Sequence, residues 1–323
     1  MRRIKELIKN ISPFNNRTDM PKILYIIKVI LIFWAFKFGA ELIGEGLVIA
    51  LHFACGKNPL KGEMFSNYTI TLITYFGYGI MIGIITLFWK LFQKKTLKDL
   101  GFAKPAASYF AGVLAGTILV VLAVVAITLT GSIRYNGIFG NIDMTMAGLM
   151  LGGFILQGAF EEVLCRGIVQ HLLQKKTSIP VAIAVSTVLF SIPHISSMDF
   201  ESPAITFVAF FNLILISLIF SLLTIRFRSI WAACGLHSIW NYILYSILGL
   251  NLSGQDEINA AVFDMSSVGD NILNGGKYGI EASFITTAVL GAAAVALLYV
   301  TLRNVFCRNS VDDLSVRKYR SIV

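Results

Sequence analysis

Two adjacent glutamates and an arginine interrupt an apolar stretch near the middle of the 323-residue chain. Glu161 and Glu162 are followed by Arg166, four residues after the second glutamate. On a helix, Glu162 and Arg166 share a face and can form an ion pair, whereas Glu161 is turned away by about 100°. Such a pair would neutralise one carboxylate and leave Glu161 available as a general base. For this stretch taken alone, a structural ion network that joins helices is the alternative.

Two histidines and an asparagine occupy two later apolar stretches. His194 follows Pro193, which can bend or end a helix and free backbone groups toward a cavity. His237 and Asn241 are four residues apart, so their side chains can point at one spot. Taken alone, His194 is explained more simply as a hydrogen-bonded core residue. A polar clamp between helices is the competing explanation for His237 and Asn241.

The depth of these residues in the membrane connects the three stretches. An ionisable residue at membrane depth costs about 2.5–3.5 kcal/mol on insertion scales and marks a functional site by default. At 1.5 Å per residue, Glu161 and His194 each lie about 21 Å from the predicted cytoplasmic ends of their helices, and Asn241 lies about 20 Å from its own. Polar groups from three helices are therefore expected in one layer, which favours an active site.

The elements that carry these residues are predicted to be membrane-spanning helices. Of all residues, 56% are hydrophobic and 14% charged, and the mean hydropathy is +0.75, whereas about a quarter of the residues of a soluble domain are charged. A span needs about 20 apolar residues. We predict an all-α fold, a polytopic membrane helical bundle of about eight transmembrane helices, the first a retained span rather than a signal peptide. The candidate spans run near 23–53, 68–92, 109–131, 146–174, 180–195, 203–225, 229–250 and 282–306.

The distribution of lysine and arginine predicts the orientation. Twenty of these residues fall in the N-terminal segment, in every second loop and in the C-terminal tail, whereas the alternate loops hold four. Positively charged loops stay in the cytoplasm. We therefore predict a multi-pass protein of the cell membrane with both termini cytoplasmic. The net charge of +9 marks topology in this interpretation, because the basic residues form no patch with interleaved aromatics, and no nucleic-acid partner is expected.

The buried polar residues resemble the three signature motifs of the CAAX protease and bacteriocin-processing family, also called the Abi family of intramembrane endopeptidases. All three motifs occur in the family's order, each on its own predicted span. They are Glu-Glu-x-x-x-Arg at Glu161, Glu162 and Arg166, Phe-x-x-x-His at Phe190 and His194, and His-x-x-x-Asn at His237 and Asn241.

The spans and the charge distribution predict an organisation in five parts, of which the resemblance covers the catalytic core. The exterior loop is expected to be flexible, and it carries no motif that we recognise. The parts are a cytoplasmic N-terminal segment (1–22), N-terminal transmembrane helices with a cytoplasmic connector near 93–108 (23–145), the catalytic core (146–250), an exterior loop (251–281), and a last transmembrane helix with a cytoplasmic tail (282–323).

The resemblance also implies a chemistry, the hydrolysis of a peptide bond with glutamate as the base. Glu161 would activate a water molecule that His194 helps to hold and polarise. His237 and Asn241 would donate hydrogen bonds to the tetrahedral oxyanion. No cofactor is expected. A zinc ion held by Glu161, His194 and His237 is the rival mechanism, which we disfavour because His-Glu-x-x-His is absent and the ligands would come from three helices.

The remaining expectations concern the Glu162–Arg166 pair, the partners of the protein and the alternative functions. Glu162 and Arg166 would fix the geometry of the site or hold a substrate backbone or carboxylate. The partners would be the lipid bilayer and a hydrophobic peptide or membrane-protein substrate, as in CAAX-type trimming, bacteriocin or signal-peptide processing, or self-immunity. The oligomeric state is not predicted. A non-catalytic membrane scaffold of the same fold is the alternative function, and a transporter is a more distant one, since no broken helices occur in matching halves.

Two further sequence patterns are less specific. Lys37, Glu41 and Glu45 form a polar stripe in the first span, which would line a water path or, more simply, belong to an amphipathic, partly interfacial helix. Gly112 and Gly116 have the spacing of a close helix-packing motif.

Overall fold

The structure, a computed structural model, is a bundle of long helices. It describes residues 2–140, 142–198, 200–254 and 261–320, with backbone alone for residues 2–5, 7 and 304–320. The helices, in chain order, are α1 (Arg2–Ile11), α2 (Lys22–Ala54), α3 (Asn67–Leu91), α4 (Ser108–Leu129), α5 (Met144–Gln174), α6 (Ile179–Ser191), α7 (Pro203–Phe227), α8 (Trp231–Tyr242) and α9 (Phe284–Arg320).

Seven helices in the described part of the chain are long and apolar enough to cross a membrane. They are α2 to α7 and the Phe284–Arg303 part of α9. Helix α6 reaches this length together with the 3-10 turn Ile192–Ser197 that continues it. This confirms the all-α polytopic bundle. The segment predicted as the seventh of eight spans is the shorter α8, which continues as a π-helix over Ile243–Ile247. Helix α8 is almost entirely buried against other helices, so protein rather than lipid surrounds it.

Small residues allow α8 to reach the centre of the bundle. A Cβ atom on Gly112 of α4 would lie 1.9 Å from the carbonyl oxygen of Ala232, and one on Gly235 of α8 would lie 2.1 Å from that of Tyr109. Neither position can accept a side chain, because the backbones of α4 and α8 are in direct contact there. The packing predicted for the glycines of α4 is therefore confirmed, and its partner is the helix that carries His237.

The connector after α3 packs against the same region from the predicted cytoplasmic side. Its 3-10 turn, Leu97–Leu100, is capped by Thr96 and Asp99, whose hydrogen bond from the Thr96 amide holds the pKa of the Asp99 carboxyl below its usual value. Gly101 follows with a φ of 88°, a left-handed conformation that favours glycine. Its carbonyl accepts hydrogen bonds from the backbone amide of Ile230 and the hydroxyl of Ser229. The connector thereby fixes the start of α8.

The opposite end of the bundle is more ordered than expected. Strands β1 (Ile133–Ile138) and β2 (Phe263–Ser267) pair antiparallel, with Ile133 opposite Ser267 and Ile138 opposite Phe263. Residues 276–282 form two 3-10 turns. The predicted flexible loop 251–281 is therefore folded where the structure describes it, because its second half is tied to β1; its acidic residues Asp256 and Glu257 lie outside the described residues.

Candidate active site

The helices that carry the motifs widen where the motifs lie. After Glu162, helix α5 becomes a π-helix over Val163–Gln170, and α8 does the same immediately after Tyr242. A π-helical turn rotates the side chains that follow it and is frequent at functional sites. The two π-helical segments thus begin immediately after Glu162 and two residues after Asn241, close to the polar residues of the motifs.

Glu162 and Arg166 form a fully buried ion pair. Nη1 of Arg166 donates to Oε1 of Glu162 at 3.0 Å, and both side chains are 0% exposed. Nη2 of Arg166 donates to the carbonyl and the hydroxyl of Ser217, at 3.0 and 2.6 Å. The guanidinium lies between the rings of Phe190 and Phe220, 4.8 and 5.0 Å from their centroids. Of the two roles expected for this pair, fixing the geometry fits its burial.

His237 connects this pair to the other glutamate. Its Nδ1 lies 3.0 Å from Oε1 of Glu162. Because a carboxylate paired with an arginine only accepts hydrogen bonds, we place a proton on Nδ1. Nε2 lies 3.8 Å from Oε2 of Glu161, and the ring stacks on Phe220. His237 therefore bridges two adjacent carboxylates from a neighbouring helix.

Glu161 is held at one oxygen only. Nε2 of Gln157 donates to Oε1 of Glu161 at 2.7 Å, and Oε1 of Gln157 accepts from Nδ2 of Asn241 at 3.0 Å. Oε2 of Glu161 has no hydrogen-bond partner among the described residues. Gln157 had not been predicted, although it lies one helical turn before Glu161 on the same face. Its amide fixes Glu161 of α5 and Asn241 of α8 relative to each other.

The side chain of Glu161 lines a cavity of about 220 Å³. His194 lies in the 3-10 turn Ile192–Ser197 that ends α6, and its Nδ1 lies 2.9 Å from the carbonyl of Phe190. The carbonyl can only accept, so Nδ1 carries the proton and Nε2 is left as an acceptor. The polar residues that line the cavity are Lys37, Tyr75, Tyr78, Gln157, Glu161, His194, Ser196, Ser197, Asn241 and Ser253.

All six predicted site residues therefore meet, but in two layers. Three of them line the cavity, namely Glu161, His194 and Asn241. The other three, Glu162, Arg166 and His237, form a buried network behind it. The main difference from expectation concerns His237, which was predicted to donate toward a substrate and instead lies against both glutamates, 5% exposed.

The polar stripe of α2 was expected either to line a water path to the site or to belong to an amphipathic, partly interfacial helix, and its residues differ in this respect. Lys37 lines the cavity and forms an ion pair with Glu41, with Nζ 2.5 Å from the carboxylate. Glu45 is exposed on the outside of the helix. One residue of the stripe thus belongs to the site, brought there by the packing of α2 against α3 and the π-helical part of α5.

The remaining wall of the cavity comes from the segment after α8. Leu252 and Ser253 line the cavity. Oε2 of Glu281 accepts from the backbone amide and the hydroxyl of Ser253, each at 2.7 Å, while its Oε1 accepts from the indole of Trp240 at 3.2 Å. Glu281 therefore fastens this wall to the residue that precedes Asn241.

A metal site would need several ligands around one point. Within the residues that the structure describes, no three His, Cys, Asp or Glu side chains lie together so that they could hold a metal ion. The set Glu161, His194 and His237 is split, because His237 is turned into the buried layer by its bond to Glu162.

Long helices around an enclosed layer of polar and ionisable groups define the chain as a multi-pass membrane protein with a candidate active site inside the bundle. Residues 143–243, less than half of the chain, match the family described as type II CAAX prenyl endopeptidase Rce1-like. This stretch holds all six predicted site residues, and the match confirms the resemblance drawn from the motifs. A search of the curated proteins and of the solved structures found no match.

Proposed function

We propose that the protein is an intramembrane, glutamate-dependent endopeptidase that hydrolyses a peptide bond in a membrane-associated peptide or protein. The observation that carries the proposal is the state of Glu161. One of its oxygens is fixed by Gln157, the other has no hydrogen-bond partner among the described residues, and the side chain lines a cavity that His194 also lines. A general base needs a carboxylate that is held in place beside the space where water and substrate meet.

The first step takes a proton from water. A water molecule in the cavity donates one hydrogen bond to the Glu161 carboxylate and the other to Nε2 of His194, since both groups are acceptors. Glu161 removes the proton as the water oxygen attacks the scissile carbonyl carbon, forming a tetrahedral intermediate. The proton then passes from Glu161 to the leaving amine, and the C–N bond breaks. Atoms and charge balance without another reactant.

The oxyanion role divides unequally between the two residues expected to share it. Nδ2 of Asn241 uses one N–H for Gln157 and retains a second, and the side chain lines the cavity. Nδ1 of His237 is taken by Glu162, and Nε2 faces Glu161. We therefore assign oxyanion stabilisation to Asn241. His237 is a positioning residue whose Nε2 lies beside Oε2 of Glu161.

The substrate is expected to be an apolar segment at membrane depth. Alongside its polar groups, the cavity is lined by apolar side chains such as Phe33, Leu164, Leu189 and Leu252. The matched family is described by a prenyl-protein activity, and a prenylated C-terminal peptide is one candidate beside peptide precursors. The protein is multi-pass in the membrane; we further propose that both termini are cytoplasmic, as the charge distribution predicts.

Peptide cleavage by the purified protein tests the proposal. Wild type, Glu161→Gln and Asn241→Ala are incubated with hydrophobic peptides, with and without a prenyl group, and the products are identified by mass spectrometry. Glu161→Gln keeps the size and one hydrogen bond but removes the base, so turnover should collapse. Asn241→Ala should lose roughly 10²–10³ in rate. Glu45→Gln, on the exposed side of α2, is the matched control and should cleave normally.

A non-catalytic scaffold predicts a different result. No peptide would be cleaved by wild type or by any variant, while all of them would fold and melt alike. Cleavage that survives unchanged in Glu161→Gln would show that the base is another residue.

A further inference from the structure

A second cavity, of about 320 Å³, lies at the end of the bundle that the charge distribution predicts to be cytoplasmic. It shares no lining residue with the active-site cavity, although Arg166 belongs to the buried network behind that cavity. The connector turn, the last turns of α5 and α7 and the start of α8 enclose it. We call it the basic cavity; it is lined by Lys98, Gly101, Arg166, Gln170, His171, Gln174, Ile179, Thr224, Ile225, Arg228, Ser229 and Ile230.

The charged side chains that line the basic cavity are all positive. Lys98 and Arg228 lie at its exposed edge, and Arg166 lies at its buried end. The lining contains no carboxylate. Asp99, the acidic neighbour of Lys98, directs its oxygen to Thr96 instead. Neither Lys98 nor Arg228 has an ion-pair partner in the ranges that the structure describes, so the cavity has an excess of positive charge.

Unpartnered buried donors provide a second, independent observation. Gln170 is 1% exposed, and neither its amide nitrogen nor its amide oxygen has a hydrogen-bond partner within the described residues. The same is true of Nε of Arg166, whose side chain is 0% exposed. Buried polar groups are rarely left unpaired, because they lose their bonds to water without replacement. Both side chains line the basic cavity.

We propose that the basic cavity binds a phosphate group, that of an anionic phospholipid headgroup or of a soluble phosphate. Lys98 and Arg228 would attract the anion at the rim, and Gln170 and Nε of Arg166 would donate hydrogen bonds at the end. Basic pockets between helices at the cytoplasmic face are suited to anionic headgroups. Apolar walls from Ile179, Ile225 and Ile230 suit the glycerol and acyl portions of a lipid. The proposal does not depend on the peptidase activity.

Ligand titration of the intact protein tests this site. Purified wild type in a neutral detergent is titrated with dioctanoyl phosphatidylglycerol, with dioctanoyl phosphatidylcholine and with inorganic phosphate. Binding is measured by native mass spectrometry and by the shift in melting temperature, because a ligand that binds only the folded state raises that temperature. The test variant is Lys98→Gln with Arg228→Gln. The matched control removes two exposed charges from the same face outside the cavity, Lys90→Gln with Arg226→Gln.

Phosphatidylglycerol should bind wild type and the control alike, and the test variant at least about tenfold more weakly. A response to phosphatidylglycerol alone identifies a lipid headgroup, and a response to inorganic phosphate as well identifies a soluble anion. The proposal is overturned if wild type binds neither anion, if phosphatidylcholine binds equally well, or if the test variant and the control lose the same affinity.

Gln170→Leu separates ligand binding from a structural role. Its amide has no hydrogen-bond partner among the residues that the structure describes, so an apolar residue of similar size should leave the melting temperature without ligand unchanged or higher. The affinity for phosphatidylglycerol or phosphate should nevertheless fall, because a donor at the end of the cavity is gone. A lower melting temperature with unchanged affinity would show that Gln170 serves the fold and would contradict the assignment of donors.

Discussion

Nδ1 of His237 lies 3.0 Å from Oε1 of Glu162, although the two residues belong to different helices and are 75 positions apart. The same oxygen accepts the hydrogen bond from Nη1 of Arg166. One carboxylate therefore sets the orientation of the imidazole and is itself fixed by the guanidinium. His237 in turn faces Glu161, so the geometry of the proposed base depends on a buried ion pair that no substrate touches.

Removing the arginine should destabilise the protein rather than affect catalysis alone. Arg166→Ala leaves Glu162 without its charged partner in a buried layer, a change that costs about 3–5 kcal/mol. The melting temperature in detergent should fall together with activity. Glu162→Gln in the same chain should recover part of the stability, because the stranded charge is gone. Arg226→Ala, at an exposed position, is the control; an Arg166→Ala protein that melts like wild type would refute the role of the pair.

Gln157 should prove to be a positioning residue. Gln157→Leu removes the amide that holds Oε1 of Glu161 and Nδ2 of Asn241 while keeping a similar size. We expect kcat to fall roughly 10- to 100-fold, about 1.4–2.8 kcal/mol of transition-state stabilisation. The melting temperature should change little, since the buried groups left behind keep access to the cavity. Steady-state kinetics with one cleaved peptide measures the change, and an unchanged kcat would exclude the role.

Chelators distinguish the two candidate mechanisms. If Glu161 is the base without a metal, incubation with EDTA or 1,10-phenanthroline should leave the cleavage rate largely intact. Loss of activity that returns when one equivalent of zinc is added would establish zinc as the activating group and would give His194 and Glu161 the role of ligands.

The segment that carries Leu252 and Ser253 should become more mobile when its hydrogen bonds to Glu281 are removed. Glu281→Ala deletes the acceptor of two hydrogen bonds from Ser253 and one from Trp240. We expect faster amide exchange in residues 251–254, measured by hydrogen–deuterium exchange, and a higher KM for the cleaved peptide. Glu201→Ala, which removes a carboxylate that is 85% exposed on the same side, is the control and should change neither quantity.

Labelling with a membrane-impermeant thiol reagent tests the topology. With the native cysteines replaced, Asp264→Cys in strand β2 should react in intact cells, because the charge distribution places this end of the bundle outside. A cysteine at Lys98 should react only after lysis. The reverse pattern would overturn the predicted orientation, and with it the assignment of the basic cavity to the cytoplasmic face.

The pairing of Glu162 with Arg166 could be predicted from sequence because it depends only on helical spacing. The convergence of His194, His237 and Glu161 could be predicted because depth in a membrane follows from position in a span. Helical spacing also places Gln157 one turn before Glu161, on the same face. A single glutamine in an apolar helix is nevertheless too common to be predicted as a site residue.

Other features could not be predicted because they depend on how helices pack. The ring of His237 has two nitrogens, and which carboxylate each one meets is decided by the crossing of α5 and α8. Lys37 lines the cavity while Glu45 does not, because Glu45 lies eight residues, about 12 Å, further along α2. The order of residues 261–281 comes from pairing with β1, more than a hundred positions earlier in the chain.

A ribosome synthesises α4, α5 and α7, the helices that contact α8, before it synthesises α8 itself. Helix α8 is short and carries His237 and Asn241, which makes it a poor candidate for entering lipid alone. The contact between Gly112 and the backbone at Ala232 offers it a place against protein instead. The two carboxylates are therefore synthesised before the histidine that contacts them, and a translation product that stops before Trp231 would lack part of the proposed active site.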